Sequence, residues 1–318
     1  MTDFKFADYN PNNLVPKYQV RRFDDKNGNR FYYYWDENGE LIIAAGITSW
    51  LKEVKPESKY MTNWKIDIVK SGLDWKDVLN TYADYGTIMH SCFADIMIKG
   101  KPDEVNIGIA REICIKNGKN PDMIYKDCLA FVKWVQDYNV EPLLIEAIVP
   151  CQSNDKGNYA MTIDLLCKID SIEKEETWVQ DGVYVRGDKK GQPKMVKNII
   201  NTRTRITALV DFKSNFGEKE RKSYYDDHKF QLIAAKKAVH QNFGIVANAV
   251  YNFSPNNWTK EPTYTFYEHK LNVEDYTEFD LLERLANVRN AFEPSGKFTE
   301  YEDITSSMDL TKIYKTYT

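Results

Sequence analysis

The stretch Ala208-Leu-Val-Asp-Phe-Lys-Ser214 constrains this chain more than any other. Leu209 and Val210 suit a sheet interior, so the segment predicts a buried strand and commits the fold to a β-sheet. Asp211 and Lys213 follow two residues apart, and the two-residue period of a strand points both to the same face. A buried strand that ends in two opposite charges either exposes them as a surface ion pair or binds something there. Ion pairs are the usual fate of an isolated D-x-K. The second reading therefore needs charged partners from other parts of the chain.

Candidates for those partners sit in apolar surroundings. Leu143-Leu-Ile-Glu-Ala-Ile-Val149 reads as a strand with Glu146 embedded in it. Asn154 to Gly157 reads as a turn, and Tyr159 to Asp170 alternates clearly. Met161, Ile163, Leu165, Cys167 and Ile169 are expected on one face, and Ala160, Thr162, Asp164, Leu166 and Lys168 on the other. A hairpin through that turn would set Glu146 beside Asp164, and such embedded carboxylates are costly without a cation or a donor. Tyr82 to Lys99 predicts a helix whose stripe is Tyr82, Gly86, Met89, Phe93 and Ile96, with His90 at its edge. Gly86 weakens a helix interior by about 1 kcal/mol, which points to a close approach of backbone or ligand. Glu218 to Asn242 predicts a long helix stopped at Gly244, with Gln231, Ala235 and Ala238 forming a small, polar face.

Elsewhere the pattern is structural. Residues 1–29 read as an irregular polar arm. Arg30-Phe-Tyr-Tyr-Tyr-Trp35 and Glu40-Leu-Ile-Ile43 flank Asn38-Gly39, a hairpin signature. Ile47 to Leu51 opens a short helix with Thr48 or Ser49 as its expected cap, and Asn63-Trp-Lys65 starts or lies within another. Asp122 to Tyr138 is amphipathic, with Ile124, Cys128, Phe131, Val132 and Val135 inward. Ile245–Phe253 and Tyr264–His269 predict strands, and Val273–Phe292 a closing helix using Tyr276, Phe279, Leu282 and Leu285. A polar tail follows from Thr305. Residues 171–205 form a polar insertion that contains the most basic window of the chain. Arg186, Lys189, Lys190, Lys194, Lys197, Arg203 and Arg205 stand there against Asp188 alone. It reads either as a solvated loop or hairpin, or as a finger that contacts phosphates.

Composition narrows the class. The formal charge of −4 over 318 residues gives no global basic signature, so nucleic-acid binding would need locally concentrated positive charge. The five cysteines are odd in number and none has C-x-x-C spacing, which argues against a zinc knuckle or a disulfide framework and fits a reducing compartment. No apolar run approaches the ~18 residues of a membrane span. Met1-Thr-Asp-Phe-Lys5 carries no apolar signal core. A soluble, cytoplasmic protein with no membrane partner is the expectation.

Taken in order, Gly86-Thr-Ile-Met-His90, Glu146, Asp164, Asp211-Phe-Lys213 and Gln231 fall on helix, strand, strand, strand and helix. This succession resembles the PD-(D/E)XK nuclease superfamily, specifically its RecB-type and phage-type exonucleases. Gly46-Ile-Thr-Ser-Trp-Leu51, Pro56 and Asn63-Trp64 are similar to upstream segments of the phage members. The resemblance spans residues 30–253, and its specificity lies in the order of the motifs rather than in any one of them. It implies an α/β (α+β) fold, a mixed central β-sheet flanked by helices with a restriction-endonuclease-like core. Residues 1–80 would be an N-terminal arm, hairpin and helical lobe. Residues 81–272 would be the nuclease core, and 273–318 a C-terminal helix and tail.

The implied activity is a metal-dependent DNA exonuclease, with a structure-specific endonuclease or an inactive nucleic-acid-binding module as alternatives. Asp164 and Asp211 would be the main ligands of Mg²⁺ or Mn²⁺, joined by the Phe212 carbonyl and His90. Glu146 would ligate directly, hold a water, or occupy a second metal position. Lys213 would orient the attacking water and stabilise the phosphate, and Gln231 would position the nucleophile. The basic window and Tyr224 would contact DNA, and a recombination or single-strand-binding protein is an expected partner. Two positions depart from the pattern: Ala160 stands where Gly is usual, and Ala235 where a Tyr is usual. No cysteine follows Cys167, so no iron–sulfur cluster is expected.

Overall fold

The computed structural model describes residues 14–25, 27–152, 157–217, 226–295 and 310–317. Its strands open with β1 (Arg21–Asp24), β2 (Arg30–Trp35) and β3 (Leu41–Gly46), an antiparallel meander. β1 falls within the segment expected to be irregular. The β2–β3 turn closes at Gly39, whose φ of 77° only glycine adopts at no cost. The aromatic run of β2 is core: Phe31, Tyr32, Tyr33 and Tyr34 are all buried.

Helix α1 (Ile47–Val54) starts directly from β3, with Gly46 as its cap residue and no side-chain cap. The expected caps do other work. Ser49 Oγ accepts the Arg30 amide at 2.9 Å, tying the helix to β2. A side chain at Gly46 would put its Cβ 2.9 Å from the Arg30 carbonyl oxygen, so only glycine fits this junction. Then come α2 (Lys59–Lys70), capped by Ser58, and α3 (Trp75–Lys99), capped by Asp74 and ended by Gly100. Helix α4 (Glu104–Lys116) has no counterpart in the expected elements, and α5 (Met123–Asp137) lies where the amphipathic pattern placed it.

The central strands are β4 (Glu141–Gln152), β5 (Asn158–Val183) and β6 (Pro193–Phe212), followed by α6 (Asp226–Phe243). β7 (Ala249–Pro255), β8 (Tyr264–Glu268), α7 (Val273–Val288) and α8 (Thr311–Tyr317) complete the chain. The eight strands form one mixed sheet in the order β1-β2-β3-β5-β6-β7-β8, with β4 paired to β5. The segments 1–80, 81–272 and 273–318 therefore contribute to a common sheet and its covering layers. One face is covered by α1, α6 and α7 through Trp50, Phe230 and Phe279. The other is covered by α3, α4, α5 and α8 through Phe93, Ile113, Phe131 and Ile313. Ile313 makes the last helix part of the core, where a polar tail was expected. Among the described residues no helix is long and apolar enough to cross a membrane.

Two features shape the site, a correction to one expected face and the form of the insertion. First, the face assignment of β5 changes phase. Met161 and Ile163 pack with α1 and α6, whereas Leu165, Cys167 and Ile169 pack with α3 and α5. On β4, directly opposite, Glu146 has φ of 46°, a left-handed conformation rare outside glycine. Ile145 and Ala147, flanking it, accordingly pack on opposite sides of the sheet. Second, of the expected readings of the insertion, the structure shows the hairpin: a two-stranded antiparallel ribbon, paired without break from Leu165↔Val210 out to Gln180↔Met195. The turn at 154–157 falls largely outside the described residues, and so does Tyr224.

Register locates a notch. β4 occupies one edge of β5. On the opposite edge β3 pairs in parallel at Tyr159 and Ala160, and β6 pairs antiparallel from Leu165 onward. Residues 161–164 lie between them, and the C-terminal ends of β3 and β6 both point into that gap. Crevices beyond strand carboxyl ends, where the sheet order breaks, are the usual ligand sites of open α/β sheets.

Candidate metal centre

The notch gathers the residues that the sequence singled out. Asp164, in the gap itself, accepts the Phe212 amide at 2.7 Å, which replaces the missing ladder bond where β5 and β6 part. α3 brings His90 over the notch. Its Nδ1 lies 3.1 Å from Glu146 Oε1 and 3.7 Å from Asp164 Oδ2, and its Nε2 lies 3.1 Å from the Phe212 carbonyl oxygen. Ligand atoms of His90, Glu146 and Asp164 all fall within 4.8 Å of one another. The left-handed turn at Glu146 is what swings its carboxylate to this point. Backbone strain of this kind costs of order 1–3 kcal/mol and concentrates at functional sites.

Asp211 stands beside this triad. Lys213 Nζ approaches its two carboxylate oxygens at 2.9 and 2.7 Å, and reaches Gln231 Oε1 at 3.2 Å. Sequence reasoning missed the next member. Asn252, fully buried on β7 opposite Asp211, donates to the Asp211 carbonyl oxygen at 3.2 Å and to its carboxylate. His269 Nε2 meets Asn252 Oδ1 at 2.6 Å. The signal was the one used for Glu146: a polar residue in an apolar strand, here Val250-Tyr-Asn-Phe253. A Cβ added at Gly86 would lie 3.5 Å from Ser214 Oγ, ordinary contact, so this helix position admits a small side chain and no closer approach requires the glycine.

Electrostatics favour the protonated forms of His90 and Asp164. Burial works against a charged imidazole, but the carboxylates of Asp164, Glu146 and Asp211 outweigh it and raise His90 to about 9. Burial, with Glu146 and Asp211 as like charges, raises Asp164 to about 8 despite His90 and Lys213. At neutral pH both His90 nitrogens then carry protons, one directed at Glu146 and one at the Phe212 carbonyl. Buried oxygens and nitrogen held together at the cost of bound protons form a hard donor set that fits Mg²⁺ or Mn²⁺.

A cleft of about 220 Å³ opens onto these groups, walled by Arg30, Gly46, Thr48, Asp164, Lys213 and Gln231. The ribbon residues do not reach it. Arg205 pairs with Asp170 at 3.1 Å and Glu141 at 2.9 Å, at the base of the ribbon, and Arg203 lies 3.6 Å from Asp170. Lys197 pairs with Glu176 at 2.6 Å and Lys194 with Asp181 at 3.5 Å, so these cations face acids of the paired strand. Arg186, Lys189 and Lys190 sit at the exposed turn. Lys194 is 17 residues before Asp211 on β6, roughly 55 Å along a strand at ~3.3 Å per residue. The ribbon thus leaves the sheet at the end opposite the notch.

Compared with known proteins, the chain matches no family model and no curated sequence.

Proposed function

We propose that this chain is a divalent-metal-dependent deoxyribonuclease of the PD-(D/E)XK type, hydrolysing phosphodiester bonds from the ends of linear DNA. The observation that carries the reading is the triad of His90, Glu146 and Asp164 beside an ammonium, Lys213, that is held between Asp211 and Gln231. These side chains come from α3, β4, β5, β6 and α6, and nothing about packing a core requires them to meet.

Asp164, Glu146 and His90 would hold the ion, with the imidazole favouring Mn²⁺ over Mg²⁺. A bound ion would supply charge neutralisation at the phosphate and a more acidic attacking water. Lys213 then donates to a non-bridging oxygen as charge builds on the five-coordinate phosphorus. Asp211 and Gln231 fix its ammonium, and Asn252 fixes Asp211. Water oxygen bonds to phosphorus and releases a proton to solvent, the bond to the leaving sugar oxygen breaks, and that oxygen takes up a proton from solvent.

The test is degradation of end-labelled linear DNA against a covalently closed circle, in Mg²⁺, Mn²⁺ or EDTA. Metal-dependent loss of label from the linear form, with the circle intact, is the expected result. Cutting of the circle would favour the endonuclease reading. Asp211→Ala and Lys213→Ala proteins that fold and still cleave as fast as the unmodified chain would sink both.

A further inference from the structure

A second, larger cavity of about 570 Å³ adjoins the cleft, and Thr48 and Gln231 belong to the walls of both. It runs between α1, the α1–α2 connection, α2 and the start of α3. Its cations are Lys52, Lys55 and Lys65, and its apolar wall includes Met61, Trp75 and Leu79. Lys65 Nζ lies 4.2 Å over the Trp75 ring and is paired with Glu57. Lys55 Nζ lies 4.5 Å over Phe230. α2 itself buries none of its residues, and Tyr60, Ile66 and Val69 on it are exposed.

Resting on the nuclease reading of the adjoining cleft, we infer that this groove holds a single, unpaired strand of DNA leading to the metal centre. The composition of the wall decides between strand and duplex. A duplex presents phosphates outward and keeps its bases stacked inside, so it has nothing to place against Met61, Trp75 and Leu79. An unpaired strand offers both partners at once: base faces for the apolar and aromatic wall, and phosphates for Lys52 and Lys55. The shared wall at Thr48 and Gln231 carries the strand onward to Lys213, which Gln231 contacts. The bases would also cover apolar surface that α2 leaves to solvent.

The experiment measures anisotropy of a labelled oligothymidylate and of a labelled blunt hairpin duplex in EDTA, so that binding is read without cleavage. The proteins are the unmodified chain, Trp75→Ala and Lys52→Glu/Lys55→Glu. Loss of one stacking platform or of two phosphate contacts weakens oligothymidylate binding by about tenfold, with hairpin binding changed less than about twofold. Hydrolysis of bis(p-nitrophenyl) phosphate in Mn²⁺, a probe too small to enter the groove and the cleft together, stays at the unmodified level and shows that the variants are folded. Unchanged oligothymidylate affinity in both variants, or equal loss on the hairpin, overturns the groove assignment. Failure of the unmodified protein to hydrolyse either DNA or the small diester would instead count against the nuclease reading, and the binding result would stand by itself.

Discussion

His90 and Asp164 set how the site answers to pH. Both are raised in the folded chain, to about 9 and about 8, against ordinary values of 6.5 and 3.8. The folded, metal-free protein therefore holds protons that the unfolded chain has released. That contribution to stability is present in full below the unfolded value of each group and is lost as pH rises through its folded value. For Asp164 the loss runs from acid pH up to about 8, and for His90 from near neutrality up to about 9. The expected outcome is a metal-free melting temperature that falls between about pH 6 and pH 9. Mn²⁺ should raise it by a growing margin over that window, because the ion displaces those protons. Scanning calorimetry with and without Mn²⁺ checks both signs, and a Mn²⁺ effect that shrinks with pH would contradict the ligand set. Lys213 acts differently. Lys213→Met should lower kcat by about 10²- to 10³-fold, as loss of a transition-state donor does. Mn²⁺ affinity by calorimetry should stay unchanged, because the lysine lies outside the triad.

At the level of elements, the ribbon of β5 and β6 separates what holds the fold from what extends it. Among the described residues none from Ser171 to Arg205 is buried. A two-stranded ribbon has little stability of its own, and here it grows from strands already fixed in the sheet. Arg205 closes its base on Asp170 and Glu141. Excising the ribbon beyond the paired residues Glu173 and Thr202, and joining them through an Asn-Gly turn, should leave the melting temperature within a few degrees. Small-diester hydrolysis in Mn²⁺ should be retained, and its loss would place the ribbon in the site. The elements also show what sequence periodicity can carry. The D-x-K strand and the first hairpin were legible as short apolar and aromatic runs, and the helices of His90 and Gln231 as stripes at helical spacing. The phase change in β5 was not, because its counterpart is a backbone conformation at Glu146, and no side-chain pattern encodes a φ of 46°. α4 escaped notice for a related reason: Gly108 interrupts it, and its buried set includes Asn106. Asn252 was visible as a polar residue in an apolar strand, but its partner, Asp211, could be assigned only from the parallel β6–β7 register.

Across the whole molecule, the site lies at the seam between two layers. α3 delivers His90 from the layer that includes α4, α5 and α8, whereas α6 delivers Gln231 from the layer that includes α1 and α7. The sheet between them supplies Glu146, Asp164 and Asp211. A metal ion would tie α3 to β4 and β5, whereas the hydrogen bond that joins α6 to the centre among the described residues is that of Gln231 with Lys213. The two layers should then fail separately. His90→Ala should abolish most of the Mn²⁺-induced rise in melting temperature, because one ligand and the α3 anchor go together. Gln231→Ala should leave that rise intact and still lower kcat, because it frees the ammonium without touching the ligands. The pair of measurements discriminates sharply. Equal loss of the Mn²⁺ effect in both variants would mean that α6 helps to hold the ion, and would move Gln231 from positioning the lysine to building the metal centre.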